Sequence, residues 1–227
     1  MIAGILEAGD AESPTLLLVH GAGQGGRLWQ RQLAEMSGRF HLLAPDLPGF
    51  GATPGPFTLP AAVESLADLA RRSGAPVHLC GHSLGAIVAA WLAAEHPELV
   101  ARLVLVSGPE LTPARTSARR LRVGRRRPGW LVRAGSDLRH RADWLRLLDA
   151  LTATDLTGLL PRITAPTLVL CGQRDGDTLP DARRAAELIP GAQLVVVPQA
   201  GHLLPVTAPR AFGAIVPGFL LAKQVQR

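Results

Sequence analysis

Cysteine, lysine and long apolar runs are all scarce in this sequence, and each shortage excludes a class of protein. Only two cysteines occur, Cys80 and Cys171. Each closes an apolar run and neither has metal-ligand spacing, which argues against a disulfide-stapled scaffold or a zinc site and for two buried thiols. No window approaches the roughly 18 uninterrupted apolar residues of a membrane span. The start, Met1-Ile2-Ala3-Gly4-Ile5-Leu6-Glu7, has no basic segment ahead of an apolar one. The chain therefore reads as neither secreted nor membrane-spanning, and a cytoplasmic location is expected.

Aromatic residues make up only 4% of the chain, few for a surface that stacks bases, so nucleic acid is not the expected partner despite a net charge of +6. Lys223 is the single lysine among 24 basic residues, which points to a compositional bias toward arginine. The location of those arginines is more informative. Eleven lie between Leu111 and Leu148 against Asp137 and Asp143, a local net of +9 that leaves −3 for the rest of the chain.

What is present is ample apolar material, 47% of 227 residues, enough for one domain with a large core. Thr15 to His20 is a short continuous apolar run ending in Gly-Ala-Gly-Gln-Gly-Gly, the pattern of a strand buried on both faces and followed by a tight turn. A helix over about 27–36 should follow. Strands are then expected over 40–44, stopped by Pro45, over 77–80, 100–106 and 167–171, and over 193–197. Helical spacing covers 59–72, 83–96, 181–188 and about 209–221. Strands alternating with helices imply right-handed crossovers, hence a doubly wound α/β fold with a mostly parallel sheet. Between Val106 and Thr167 no strand is expected. Residues 110–160 therefore read as an insertion over the C-terminal edge of the sheet, placed to act as an Arg-rich lid, with 1–109 and 161–227 forming the core.

Gly81-His82-Ser83-Leu84-Gly85 matches Gly-x-Ser-x-Gly, a pattern that arises by chance in roughly one chain in ten at this composition. Its setting is more specific, because it follows the strand ending at Cys80 and opens the next helix. A serine on such a turn is held strained and exposed, and the two glycines leave room for the turn. Ser83 is thus the candidate nucleophile; the competing reading is an ordinary helix N-cap. A serine hydroxyl needs a base, and His202 follows the strand at 193–197, at the same sheet edge. His20, His41 and His78 belong to strands, while His82, His96 and His140 are read as turn or surface residues. The base in turn needs a carboxylate to orient it. Asp175 lies four residues past the strand ending at Cys171 and is better placed than Asp177, which is read as solvating the turn. Two backbone amides, Ala22 in the glycine-rich loop and Leu84 after the serine, would hold a developing oxyanion.

These segments, with His20-Gly-Ala and Ala44-Pro-Asp-Leu-Pro-Gly-Phe-Gly51, together resemble the α/β-hydrolase superfamily, in particular its small esterase, lactonase, C–C-bond hydrolase and pimeloyl-carrier-protein methyl esterase branch. The resemblance spans nearly everything outside 110–160. It implies a structural rather than catalytic Asp46. The sequence departs from the family pattern in two places: its short N-terminus leaves room for one strand before Thr15, so about seven strands rather than eight are expected, and its lid of about 50 residues is reduced. A serine at Ser83 also sets the chain apart from the haloalkane dehalogenases and epoxide hydrolases, which carry aspartate there. The expected activity is serine hydrolysis of a carboxylic ester or related acyl compound, with no cofactor and no metal. A lyase or biosynthetic step with the same three residues, and a non-catalytic ligand-binding homologue, are the alternatives. The partner is a small-molecule ester or acyl substrate, and the arginine cluster adds the option of an acidic carrier protein.

Overall fold

The computed structural model describes residues 2–109 and 141–222. Its centre is a seven-stranded sheet built from β1 (Ile5–Ala8), β2 (Thr15–Val19), β3 (His41–Pro45), β4 (Val77–His82), β5 (Val100–Val106), β6 (Thr167–Gly172) and β7 (Gln193–Val197). The strand order is β1-β3-β2-β4-β5-β6-β7. Only β1 runs antiparallel, against β3; every other pairing is parallel. The fold expected from the sequence, a doubly wound α/β sheet of seven mostly parallel strands, is the one observed.

Strand alternation explains why the central runs are apolar at every position. In β2, Leu17 and Val19 join one apolar cluster while Leu16 and Leu18 join another on the opposite face. In β5, Leu103 and Leu105 face the first and Val104 and Val106 the second. Because both faces are covered, no polar position is left over within residues 16–19 or 103–106, and the polar Thr15 and Arg102 fall ahead of these stretches. Each side chain of this kind contributes about 1.5–3 kcal/mol on burial. Helices α1 (Gln30–Met36) and α7 (Pro209–Leu220) cover one face through Leu33, Met36, Phe212 and Val216. Helices α2 (Leu59–Arg72), α3 (Leu84–Glu95) and α5 (Leu179–Leu188) cover the other. Pressed between the sheet and its neighbours, α3 buries nearly its whole circumference, so it carries no polar stripe.

Several boundaries differ from the expected ones for physical reasons. The helix expected over 27–36 begins as a 3-10 turn, Gly26–Trp29, because the Gly26 amide is tied to Asp46 Oδ1 at 2.7 Å. Pro45 is the last residue of β3 rather than its stop; lacking an N–H, it fits at a strand terminus beside the short edge strand β1. The closing helix is preceded by a single turn, α6 (Leu204–Thr207). Residues 110–140 of the segment read as a lid, with most of the arginine cluster, lie outside the described residues. From Arg141 the chain forms α4 (Arg141–Ala153), and Leu147, Leu156 and Leu160 are fully buried in the same cluster as α2 and α3. No helix among the described residues is long and apolar enough to cross a membrane.

The chain leaves β2 for β3 on one side and β4 on the other, so the C-terminal ends of β2 and β4 flank a topological switch point, where α/β sheets open a crevice. The turn from β4 into α3 sits there and is tightly enclosed. A side chain at Gly81 would run into the Gly85 carbonyl, and one at Gly85 into the Val19 and His20 carbonyls. Gly85→Ala is therefore expected to lower folding stability by about 1–3 kcal/mol, measured as the urea midpoint. An unchanged midpoint would mean that the backbone yields freely at this contact.

Candidate active site

Ser83 occupies the residue between β4 and α3 with φ 54° and ψ −113°, a left-handed conformation that L-residues rarely adopt. Such a geometry costs on the order of 1–3 kcal/mol and persists only where the surroundings impose it. Here the Ser83 amide donates to the Val106 carbonyl at 2.9 Å, and its own carbonyl accepts from the Ala86 and Ile87 amides. The side chain makes no capping bond to α3. Its Oγ instead lies 3.1 Å from Nε2 of His202.

His202 comes from the loop after β7, and its Nδ1 lies 2.9 Å from Oδ2 of Asp175, in the loop after β6. A carboxylate can only accept, so Nδ1 carries the proton and Nε2 presents its lone pair to the serine hydroxyl. The two loops are fastened to each other by backbone bonds. Gln173 N–H donates to the Val197 carbonyl at 2.9 Å and Arg174 N–H to the Ala200 carbonyl at 2.8 Å. Gly172 packs so closely on Ala200 that a side chain there would strike its carbonyl.

Asp175 is buried and His202 half-buried, its side chain 32% exposed. Burial pushes the Asp175 carboxyl upward, but hydrogen bonds from His202 and Thr178, together with the His202 charge, outweigh it and hold the carboxyl below its usual range. The carboxylate is thus kept ionised. Thr178 is fully buried, and its hydroxyl donates to the same Oδ2 that faces His202.

Of the two acids weighed from the sequence, the fold brings Asp175 to the histidine and leaves Asp177 exposed in the turn. Leu84 is the first residue of α3, so its amide is among the donors that the helix itself leaves unpaired. Ala22 lies in the turn after β2, whose own bonds, Gly21 N–H to Gln24 Oε1 at 3.2 Å and Gln24 N–H to the Gly21 carbonyl at 3.3 Å, use neighbouring amides. His20, at the end of β2, is anchored on both sides: Nδ1–H donates to the Gly21 carbonyl at 2.9 Å and Nε2 accepts from Leu47 N–H at 3.0 Å. Asp46 bridges Gly26 and Ala52 through its two carboxylate oxygens at 2.7 and 2.9 Å, a structural clamp as expected.

One reading is corrected. His82, taken from the sequence as a turn or surface residue, ends β4 with 1% exposure. Its neighbour in the sequence is the turn, but its side chain points inward. Thr178 carries a weaker sequence signal, an Asp followed three residues later by Thr at a helix start.

Residues 16–215 match the sequence profile described as the alpha/beta hydrolase family. A proposed carbamate hydrolase, RutD, of Yersinia enterocolitica is 30% identical, with 91% of this chain and 87% of that protein aligned. Among solved structures, a hydrolase from Pseudomonas aeruginosa PA01 superposes with a TM-score of 0.84 at 30% identity, covering 96% of this chain and 94% of the other. An esterase from Thermogutta terrifontis, solved with malate bound, gives 0.80 at 27% identity, covering 96% and 92%.

The burial of His82 has a consequence for stability. Burial first, and the adjacent His202 second, depress its pKa from 6.5 to about 4. Between those two values the unfolded chain binds a proton that the folded protein does not. The stability linked to neutral His82 is therefore complete above pH 6.5 and is lost as pH falls toward 4, by about 3 kcal/mol in all. Urea denaturation across this window should show a weaker pH dependence in His82→Gln than in the wild type; identical dependences would contradict the assignment.

Proposed function

The chain belongs to the alpha/beta hydrolase family, and from that premise we propose that it is a serine hydrolase acting on a carboxylic ester or a related acyl compound. The observation that carries the proposal is the unbroken hydrogen-bonded line from Ser83 Oγ through His202 to Asp175, at 3.1 and 2.9 Å. In this reading His202 takes the Ser83 proton as Oγ attacks the substrate carbonyl. The amides of Ala22 and Leu84 hold the oxyanion, and the imidazolium, stabilised by Asp175, returns its proton to the leaving group. His202 then activates water to release the acid from the acyl-enzyme. Nucleophile, base and oxyanion donors all come from the chain itself, so the chemistry calls for neither metal nor nucleotide.

The relatives support an acyl-type carbonyl as the target. A carbamate, the substrate class in the name of the Yersinia relative, and the ester implied by the Thermogutta one both present a carbonyl that a serine can attack with loss of a heteroatom leaving group.

Hydrolysis of 4-nitrophenyl acetate should fall in kcat by at least about 10³-fold for Ser83→Ala and for His202→Ala. The double variant should be no worse than the poorer single one, because the pair acts as a unit. Losses that multiply, or substantial turnover by Ser83→Ala, would refute the assignment. Asp175→Asn keeps the shape but presents the wrong hydrogen-bond partner to Nδ1, and is expected to lower kcat by about 10²–10⁴-fold with KM little changed.

A further inference from the structure

The residue before the nucleophile is a histidine whose imidazole lies inside the site yet takes no part in the proton path. His82 is 1% exposed, and its Nε2–H donates to the backbone carbonyl of His202 at 2.9 Å, across 120 residues of sequence. The two imidazole rings sit 5.2 Å apart with a 57° tilt. Across Cε1 from Nε2, Nδ1 of His82 is buried with no hydrogen-bond partner among the described residues. The Nδ1–Cε1 side of the ring abuts the loop after β2. A Cβ built on Gly21 would lie 2.8 Å from Nδ1 and 2.8 Å from Gln24 Oε1, so the loop carrying Ala22 rests directly against the ring.

We infer that His82 is a positioning residue: its ring spans the gap between the base-bearing loop and the Gly21-Ala22 loop and fixes the spacing of both around Ser83. The inference rests on the serine-hydrolase reading of the site. Three features of the chemistry make histidine suited to the place. The bond to the His202 carbonyl restrains the backbone that carries the base, so that rotation of the His202 side chain alone decides whether Nε2 faces Ser83. The ring is flat and rigid, so it sets a distance that a flexible side chain of the same length would not hold. It also stays uncharged. Burial and the neighbouring His202 depress its pKa to about 4, so no second positive charge forms beside His202 when that residue takes the serine proton. His20 and Asp175 are the other titratable groups that act on it, the first opposing and the second favouring its protonation.

Two amide substitutions separate the donor from mere bulk. In His82→Gln the side-chain NH₂ reaches the position of Nε2 and can still donate to the His202 carbonyl; in His82→Asn it reaches only the position of Nδ1. With 4-nitrophenyl acetate as substrate and rates expressed per fluorophosphonate-reactive site, Gln should retain kcat to within about threefold. Asn should lose on the order of tenfold in kcat at unchanged KM, the signature of a misplaced base rather than weakened binding. Normalising to reactive sites removes any difference in folded fraction. Wild-type kcat in His82→Asn, or equal losses in the two variants, would overturn the inference. Failure of the wild-type protein itself to take up the fluorophosphonate would instead remove the hydrolase reading beneath it.

Discussion

The whole site depends on one close approach, the backbone of the Gly81-to-Gly85 turn pressed against itself and against the ends of its neighbouring strands. Gly81 leaves no space for a side chain before the Gly85 carbonyl, and Gly85 none before the carbonyls of Val19 and His20. Held in this way, Ser83 is driven to positive φ, its amide fastened to Val106 on the next strand. The strain at one residue is carried by a sheet whose central strands are buried on both faces, and a sheet of that kind cannot relax locally. The result is a hydroxyl that makes no bond to α3 and lies instead against Nε2 of His202.

The other parts converge on that hydroxyl because adjacent parallel strands end at the same edge. β6 and β7 deliver Asp175 and His202 on their following loops, which are then bonded to one another at Gln173 and Arg174. β2 delivers the glycine-rich loop on the other side. Within this frame the electrostatics are ordered: Asp175 is kept ionised by donors that outweigh its burial, while His82 is kept neutral by burial. Charge is thereby concentrated at the carboxylate behind His202, where an imidazolium would need it.

Much of this was legible in the sequence because burial on both faces erases the polar half of the strand pattern. Leu16 to Val19 and Leu103 to Val106 read as apolar blocks and are strands for that reason. The order Ser83, Asp175, His202 was legible as well, since each residue closely follows a recognisable strand. What escaped was orientation. His82 lies beside the half-buried Ser83 in sequence but is itself fully enclosed, and no composition rule distinguishes the two. The contact of Thr178 with Oδ2 of Asp175 forms only once the β6 loop folds back into α5, so the sequence alone does not define it. Asp46 was read as structural, and its bonds to Gly26 and Ala52 explain why the Pro-Gly-rich loop after β3 holds its shape.

We propose that the fold makes one serine, Ser83, and only that one, a nucleophile. The most direct measurement is peptide mapping by mass spectrometry after treating the folded protein with a fluorophosphonate probe. The expected result is a single modified residue, Ser83, out of eight serines in the chain, with the reaction lost once urea unfolds the sheet that strains the turn. Modification spread over several serines, or none at Ser83 in the folded protein, would contradict it.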